Sequence, residues 1–482
     1  MTRRLILTLL LLVLVVVPST ERGSSAQSNL RRWESSEASP TIDPVVADLQ
    51  ERTFRFFWDT ANTTNGLIPD RYPTPSYASI AAVGFALTTY PIGVERGYIT
   101  REQAIERVLT TLRFLYNAPQ SPEARGASGY KGFFYHYLDM KSGERFEDVE
   151  LSTVDTAILV AGVLFCQSYF DRSKPEEEEI RRIADRIYRR VDWRWAQSNP
   201  PGISLGWTPA DGFIKYDWRG YNEGMLVYLL ALGSPTFPVG PDAWTEWTST
   251  YELHWRNHFG QEYLSFGPQF GHQYTHVWID LRKVQDAYMR RQGLDYFENS
   301  RRATYAQQAY AIHNPKRCKG YGAVFWGITA SDGPADAEID DGGMRRVFHS
   351  YRARGIDLTG RYDDCTLAPT AVAASMPFAP ELAVPAVLAM HELFGEHIYS
   401  KYGFLDAFNQ TWSFDAPLRH GRQVPSFGWV DGDYLGIDQG AIFAMIENYR
   451  SAMIWRVTRK NAYVRRGLEQ AGFSGGWLVA AQ

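Results

Sequence analysis

The chain has 482 residues, a formal net charge of -4 and a sequence pI near 6.2, so it lacks the general positive charge that nucleic acid or an anionic lipid surface would attract. Hydrophobic residues at 45% and charged residues at 22% give ample material for a large core and exclude extended disorder. Cys166, Cys318 and Cys365 are too widely spaced for a close-knit zinc framework and allow at most one disulfide.

Arg3 and Arg4, the apolar run Leu5 to Val17 and the small residues Ser24-Ser25-Ala26 together read as an export signal over residues 1–26. The run is shorter than the roughly 20 residues needed to cross a bilayer, so no stable membrane insertion is expected after its removal. A periplasmic or extracellular location follows. Residues 27–44, rich in Ser, Glu and Arg, read as a flexible segment, and no comparable spacer interrupts residues 45–475, which read as one domain.

Within that domain two kinds of helical segment alternate. Segments near 77–92, 153–165 and 222–232 are apolar on nearly every side and must be surrounded by protein. Segments near 100–116 and 176–191 carry a single apolar stripe, such as Ile180, Ile183, Ala184 and Ile187. Buried helices lined by amphipathic ones describe an all-α, two-layer (α/α)6 toroid of about twelve helices in six pairs. An irregular helical bundle or a solenoid is the alternative, and the absence of a fixed-length repeat counts against the solenoid.

Carboxylates recur just before the buried segments: Asp155, Glu223 and Asp438. A toroid would bring them to one mouth, where glycosidic hydrolysis needs one protonated and one ionised carboxyl group. Each also has a plain structural reading. Ser152-Thr153-Val154-Asp155 is a helix-capping sequence, Glu223 follows the capping residue Asn222, and Asp438 can cap its own helix. A helix N-terminus stabilises the anion, so an acid role for Glu223 requires an apolar setting, which Trp218, Tyr221 and Met225 can supply.

Aromatic residues in the Gly/Pro-rich loops, Trp207, Trp218, Trp326, Tyr402 and Trp429, offer stacking faces for sugar rings, with Arg71, Asn222, His276 and Asp332 as polar partners for hydroxyls. Such aromatics also serve simply as core. His272 and His276 stand at i and i+4 but lack the glutamate of a zinc peptidase, so neither metal nor cofactor is expected. A serine-hydrolase elbow is missing too.

The segments FFWDTANTTNGLIPDR (56–71), ELSTVDTAIL (150–159), GWTPADGF (206–213), GYNEGMLVYLLALGSP (220–235), HQYTHVWID (272–280), DYFENSRRAT (295–304), WGITASDGP (326–334), SMPFAPE (375–381), GFLDAFN (403–409) and GIDQGAIFAMIENYRS (436–451) together resemble the glycoamylase-like domain family, which contains bacterial endo-β-1,2-glucanases of glycoside hydrolase family 144. The resemblance spans about residues 45 to 473. It implies an (α/α)6 barrel, anomer-inverting endo-hydrolysis of β-1,2-glucan and no cofactor. It also implies that Glu223 in GYNE is the proton donor, with Asp155, Asp139 (in HYLDM) and Asp438 as the matching positions for the base. An inverting pair stands roughly 6.5–9.5 Å apart. Three departures touch specificity: Cys365 stands where the pattern has glycine, Ala441 where it tends to have proline, and the loop Arg419 to Gly432 diverges. Expected partners are a glucan or oligosaccharide, with no nucleic acid, and the chain is expected to act as a monomer. Another glucan linkage, exo action, or a glycan-binding protein without activity are the competing readings; a lyase would need more basic residues than this pI allows.

Overall fold

In the computed structural model, which describes residues 42–479, helix α1 (Pro44–Thr60) starts on Asp43, whose carboxylate accepts the Val45 N–H at 2.8 Å. Helix α1 therefore starts beside residue 45, where the domain is expected to begin. The expected export signal, and residues 27–41 of the expected flexible segment, lie outside the described residues.

Eleven further long or buried helices follow: α2 (Ile80–Glu95), α3 (Arg101–Asn117), α4 (Thr153–Tyr169), α5 (Pro175–Arg189), α6 (Met225–Gly233), α7 (Tyr274–Trp278), α8 (Tyr296–His313), α9 (Pro369–Ala373), α10 (Pro380–Ile398), α11 (Gly436–Ser451) and α12 (Ala462–Gln470). Shorter helices, such as Asp242–Thr248 and Met453–Thr458, lie in the connections. The molecule is thus helix-rich, with two- and three-stranded ribbons joined to the helix starts. Among the described residues no helix is long and apolar enough to cross a membrane.

The alternation read from the sequence has a packing counterpart. Helix α2 packs on α4, α4 on α6, α6 on α7, α7 and α9 on α11, and α11 returns to α2. Gln273, immediately before α7, donates to the Ala371 carbonyl of α9 at 2.9 Å and links those two. Helices α2, α4, α6 and α11 are buried almost throughout, as their apolar sequences require. The amphipathic α3, α5, α12 and α1 cover them: α3 lies on α2 and α5, α5 on α4, α12 on α6, and α1 on α11. In α5 the buried stripe includes Ile180, Ile183, Ala184 and Ile187, while its first turn holds Glu176, Glu177 and Glu178 and its last turn Arg186 and Arg189, matching the helix dipole at both ends.

Two glycines let α2 and α4 approach at backbone distance. A Cβ on Gly84 would stand 2.4 Å from the Ile158 carbonyl oxygen, and one on Gly162 would stand 2.1 Å from the Gly84 carbonyl oxygen. Backbone cannot yield as a flexible side chain can. Gly162→Ala is therefore expected to destabilise the fold by about 1–3 kcal/mol, checked by chemical denaturation against a surface Gly→Ala control.

Elsewhere the register is pinned from within. Arg354 is fully buried and forms a two-bond pair with Asp364, Nε to Oδ1 at 2.6 Å and Nη2 to Oδ2 at 2.8 Å. Its remaining N–H groups donate to the carbonyls of Ser331 at 2.6 Å and His349 at 2.7 Å, so the charge is fully partnered. Cys365, next in the chain, has φ +71°, the left-handed backbone that favours the glycine of the family pattern. It forms a disulfide with Cys318, whereas Cys166 is buried in α4 and free.

Candidate active site

The buried helices present their N-terminal ends to a common cluster of carboxylates, and short ribbons fix how each end enters. Ser79 caps α2 by accepting the Ala82 N–H at 3.3 Å, and Ser152 caps α4 by accepting the Asp155 N–H at 3.2 Å. Arg71-Tyr72 pairs antiparallel with Tyr434-Leu435 just before α11, which sets Arg71 beside Asp433. Ala330–Asp332 pairs with Tyr351–Ala353, placing Asp332 opposite Tyr351.

Glu223 stands before α6 rather than in its first turn. The helix begins at Met225 with Gly224 as its cap, and Asn222 Oδ1 accepts the Gly224 N–H at 2.9 Å instead of capping deeper into the helix. Trp218 lies against Gly224, and its Nε1 donates to Thr153 Oγ1 at 2.9 Å, which fastens this loop to the start of α4. Glu223 Oε2 is buried without a hydrogen-bond partner. Burial, reinforced by the nearby charge of Asp155, pushes the Glu223 carboxyl up to about 7.

Asp155 occupies the first turn of α4, where Ser152 Oγ donates to its Oδ2 and the His136 Nε2 lies 3.6 Å away. On its other side His136 donates from Nδ1 to Glu150 Oε1 at 2.8 Å. Burial opposes a charge on His136, but Asp155, Glu150 and Asp70 outweigh it and raise the imidazolium to about 9. Asp70, also buried, is pushed up to about 6, with Arg71 and His136 restraining the rise.

Arg71 Nη1 reaches Asp332 Oδ2 at 2.7 Å and stands 3.7 Å from Asp433 Oδ2. Behind it lie Asp406, Asp431 and Asp438. Asp406 Oδ2 accepts the Asp332 N–H at 2.8 Å, and its side chain is within hydrogen-bond reach of Asp438. Burial first, then mutual repulsion among Asp438, Asp332 and Asp431, raises Asp406 well above the usual carboxylate range. Asp431 is raised likewise by burial and by Asp332. Asp438 is pushed up to about 7 by burial, while the hydrogen bond from Asp406 favours its anion. Burial and mutual repulsion thus favour retention of a proton by the Asp406–Asp438 pair. Asp332, Asp406 and Asp431 bring carboxylate oxygens within 4.8 Å of one another, a spacing that could hold a cation, but the Arg71 guanidinium already neutralises Asp332.

The other sequence candidates separate sharply. Asp139 is exposed and accepts the N–H groups of Lys141 at 3.0 Å and Ser142 at 2.8 Å, which lowers its pKa and makes it a turn former outside the acid cluster. His276 is buried and bonded to Ser300 Oγ at 3.1 Å, and burial drives its pKa down to about 3, so it is a neutral core residue. Trp326 is wholly buried; Trp429 is too, in a small cluster with Trp412 and Phe348. Tyr221 is stacked on Tyr296 at 5.7 Å. These four are buried in the core, where large rings fill space. Tyr402 is buried and lies under a groove beside Tyr72. Arg71 and Asp332 sit in the cluster, and Trp218 and Asn222 flank Glu223 half-buried.

Sequence reasoning passed over Asp70, His136, Glu150, Asp406, Asp431 and Asp433, together with Tyr274 and Tyr351. Tyr274, at the start of α7, feels Asp438, Glu223 and Asp155 at once, and Tyr351 feels Asp438, Asp406, Asp70 and Asp332. Asp70 and Asp406 lie inside quoted segments, IPDR and GFLDAFN, but precede no buried run. An NMR titration should find the His136 ring protonated through neutrality with a midpoint near 9; a midpoint at the free-histidine value of about 6.5 would show that the Glu150–His136–Asp155 array does not form.

The family model for glycoamylase, described as "putative glucoamylase", matches residues 215–462. A putative glucoamylase structure from Bacteroides uniformis is 31% identical, with a TM-score of 0.77 and coverage of 92% of this chain and 100% of its own. An endo-beta-1,2-glucanase from Chitinophaga pinensis, in complex with sophorotriose and glucose, is 26% identical, with a TM-score of 0.75 and coverage of 91% and 100%. An exo beta-1,2-glucooligosaccharide sophorohydrolase (non-reducing end) from Parabacteroides distasonis is 27% identical over 92% of this chain, which spans 60% of that relative's length. Matched by the family model over half its length and by solved structures over nearly all of it, the chain belongs to the glycoamylase family.

Proposed function

We propose that this chain is an exported glycoside hydrolase that cleaves β-1,2-linked glucan internally, with inversion at the anomeric carbon. The observation that carries the reading is the buried Glu223 carboxyl, whose Oε2 has no hydrogen-bond partner and whose pKa burial raises to about 7, set against the Asp406–Asp438 pair. Helices α6 and α11 are separated by α7 along one path of contacts and by α4 and α2 along the other, so we place the two groups on different helices of a double-layer (α/α)6 toroid, formed by one domain over residues 45–475. Glu223 would donate its proton to the leaving glycosidic oxygen. Asp438, ionised beside protonated Asp406, would take a proton from the water that attacks from the other face. Asp155 is the alternative base; its position near Glu223 rather than opposite favours a supporting role, keeping Glu223 protonated.

Relatives acting on β-1,2-glucans support the substrate class, and the one named as a sophorohydrolase keeps exo action as a second reading. A disulfide between Cys318 and Cys365 fits an oxidising compartment and hence export. All the clustered acids come from one chain, which fits a monomer.

Incubation with linear β-1,2-glucan should release oligosaccharides of mixed length, whereas uniform disaccharide would favour the exo reading; cleavage of starch or laminarin instead would overturn the linkage. Glu223→Gln should lower kcat by about 10²–10⁴-fold, and near-normal turnover would remove it as the acid. Both carboxyl groups titrate near 7, so kcat/KM should rise with pH as Asp438 ionises and fall as Glu223 loses its proton, giving a narrow bell near neutrality. In Asp438→Asn the residual rate should lose the acidic limb and keep the basic one.

A further inference from the structure

Four tyrosine hydroxyls, those of Tyr77, Tyr137, Tyr274 and Tyr351, face the acid cluster, and none of them makes a hydrogen bond among the described residues. Residues directly opposite in an antiparallel pair project to the same face of the ribbon, so Tyr351 emerges beside Asp332, its partner in register. Tyr351 is 54% exposed, yet its hydroxyl lies deep enough for burial, then Asp438, Asp406, Asp70 and Asp332, to hold its proton. An open ring among buried acids marks a cleft that reaches them from solvent. Tyr274 is held between Phe85 at 5.7 Å and Phe270 at 5.2 Å, and its hydroxyl feels Asp438, Tyr351 and Glu223. Tyr137 stacks on His136 at 4.0 Å and lies 4.2 Å from Tyr77, and these two extend the row toward Asp70.

Tyrosines elsewhere use their hydroxyls within the protein: Tyr188 donates to the Leu230 carbonyl at 2.7 Å and Tyr228 to the Trp218 carbonyl at 2.8 Å. Where a core hydroxyl lacks a partner, as at Tyr90 and Tyr135, it is sealed from water; those of Tyr77, Tyr137 and Tyr274 are not. The cluster is rich in acceptors, but its cations are taken. Arg71 is shared by Asp332, Asp70 and Asp433, and His136 by Glu150 and Asp155. A sugar hydroxyl both donates and accepts, so carboxylates alone cannot satisfy a sugar drawn out of water. Phenols beside several carboxylates stay protonated, which keeps each of them a donor. Of the four, Tyr274 and Tyr351 are the two that feel Asp438 most strongly.

We propose that Tyr274 and Tyr351 are substrate-binding residues that donate hydrogen bonds to hydroxyls of the glucosyl unit held at Glu223 and Asp438. This deepens the glucan-hydrolase reading and rests on it. The test is calorimetric titration of the full chain carrying Glu223→Gln with β-1,2-gluco-oligosaccharides, alone and combined with Tyr351→Phe or Tyr274→Phe. Each phenylalanine removes one oxygen and keeps the ring. Each should weaken binding about 3–10-fold, the loss expected of one hydrogen bond, in a protein whose melting temperature is unchanged. Unchanged affinity in one variant removes that residue from the inference. Unchanged affinity in both, or binding of none of the sugars, overturns it. A fall in melting temperature in both also overturns it, because the hydroxyls would then be bonded within the protein. Cleavage of β-1,2-glucan by the unsubstituted protein judges the hydrolase reading separately: cleavage with unaltered affinity in both variants removes only the inference, and weakened binding without cleavage removes only the hydrolase.

Discussion

Carboxylates gathered at the N-terminal ends of buried helices are the constraint on which this molecule turns. A helix start favours negative charge, yet the same location removes water, and a desolvated carboxylate costs several kcal/mol unless it is paired or protonated. The chain meets that conflict in two ways. Cations are inserted where the ribbons permit, Arg71 between Asp332 and Asp433 and His136 between Glu150 and Asp155. Elsewhere burial favours the protonated carboxyl, at Glu223 and within the Asp406–Asp438 pair. The supporting structure follows from this need: the strand pairing of Arg71 with Leu435 and the burial of Arg354 against Asp364 both serve to hold charged segments in register.

Two carboxyl groups are both raised chiefly by burial, but in different surroundings. Glu223 is raised chiefly by burial beside Trp218, whereas Asp438 is buried among other acids, one of which stabilises its anion by donating a hydrogen bond.

The alternation of apolar and striped helices was legible because helix period and burial act on every residue of α2, α4, α5 and α6. Their starts were less legible: Glu223 falls outside α6 because Gly224, and not Asn222, ends the loop. Site residues announced by proximity to a buried helix, Asp155, Glu223 and Asp438, sit in the acid cluster. Asp139 had the same residue type and no such context, and it closes a surface turn. Asp406, Asp431 and His136 were not legible, since their meaning depends on neighbours from other segments, Asp155 for His136 and Asp332 for Asp406 and Asp431. Aromatics were misread most, because a ring suited to a sugar is equally suited to a wide core, and Trp326, Trp429 and Tyr221 filled the latter.

The bond from Cys318 to Cys365 joins residues 47 positions apart and encloses the partly exposed hairpin Ala337–Phe348, Tyr351 and Arg354. A protease cutting anywhere inside that stretch would leave both halves covalently joined, with the Arg354–Asp364 pair and the Asp332 segment still anchored to the helices. Nicked molecules would run as one species until reduced, so a cut in this ribbon would scar the chain without taking it apart.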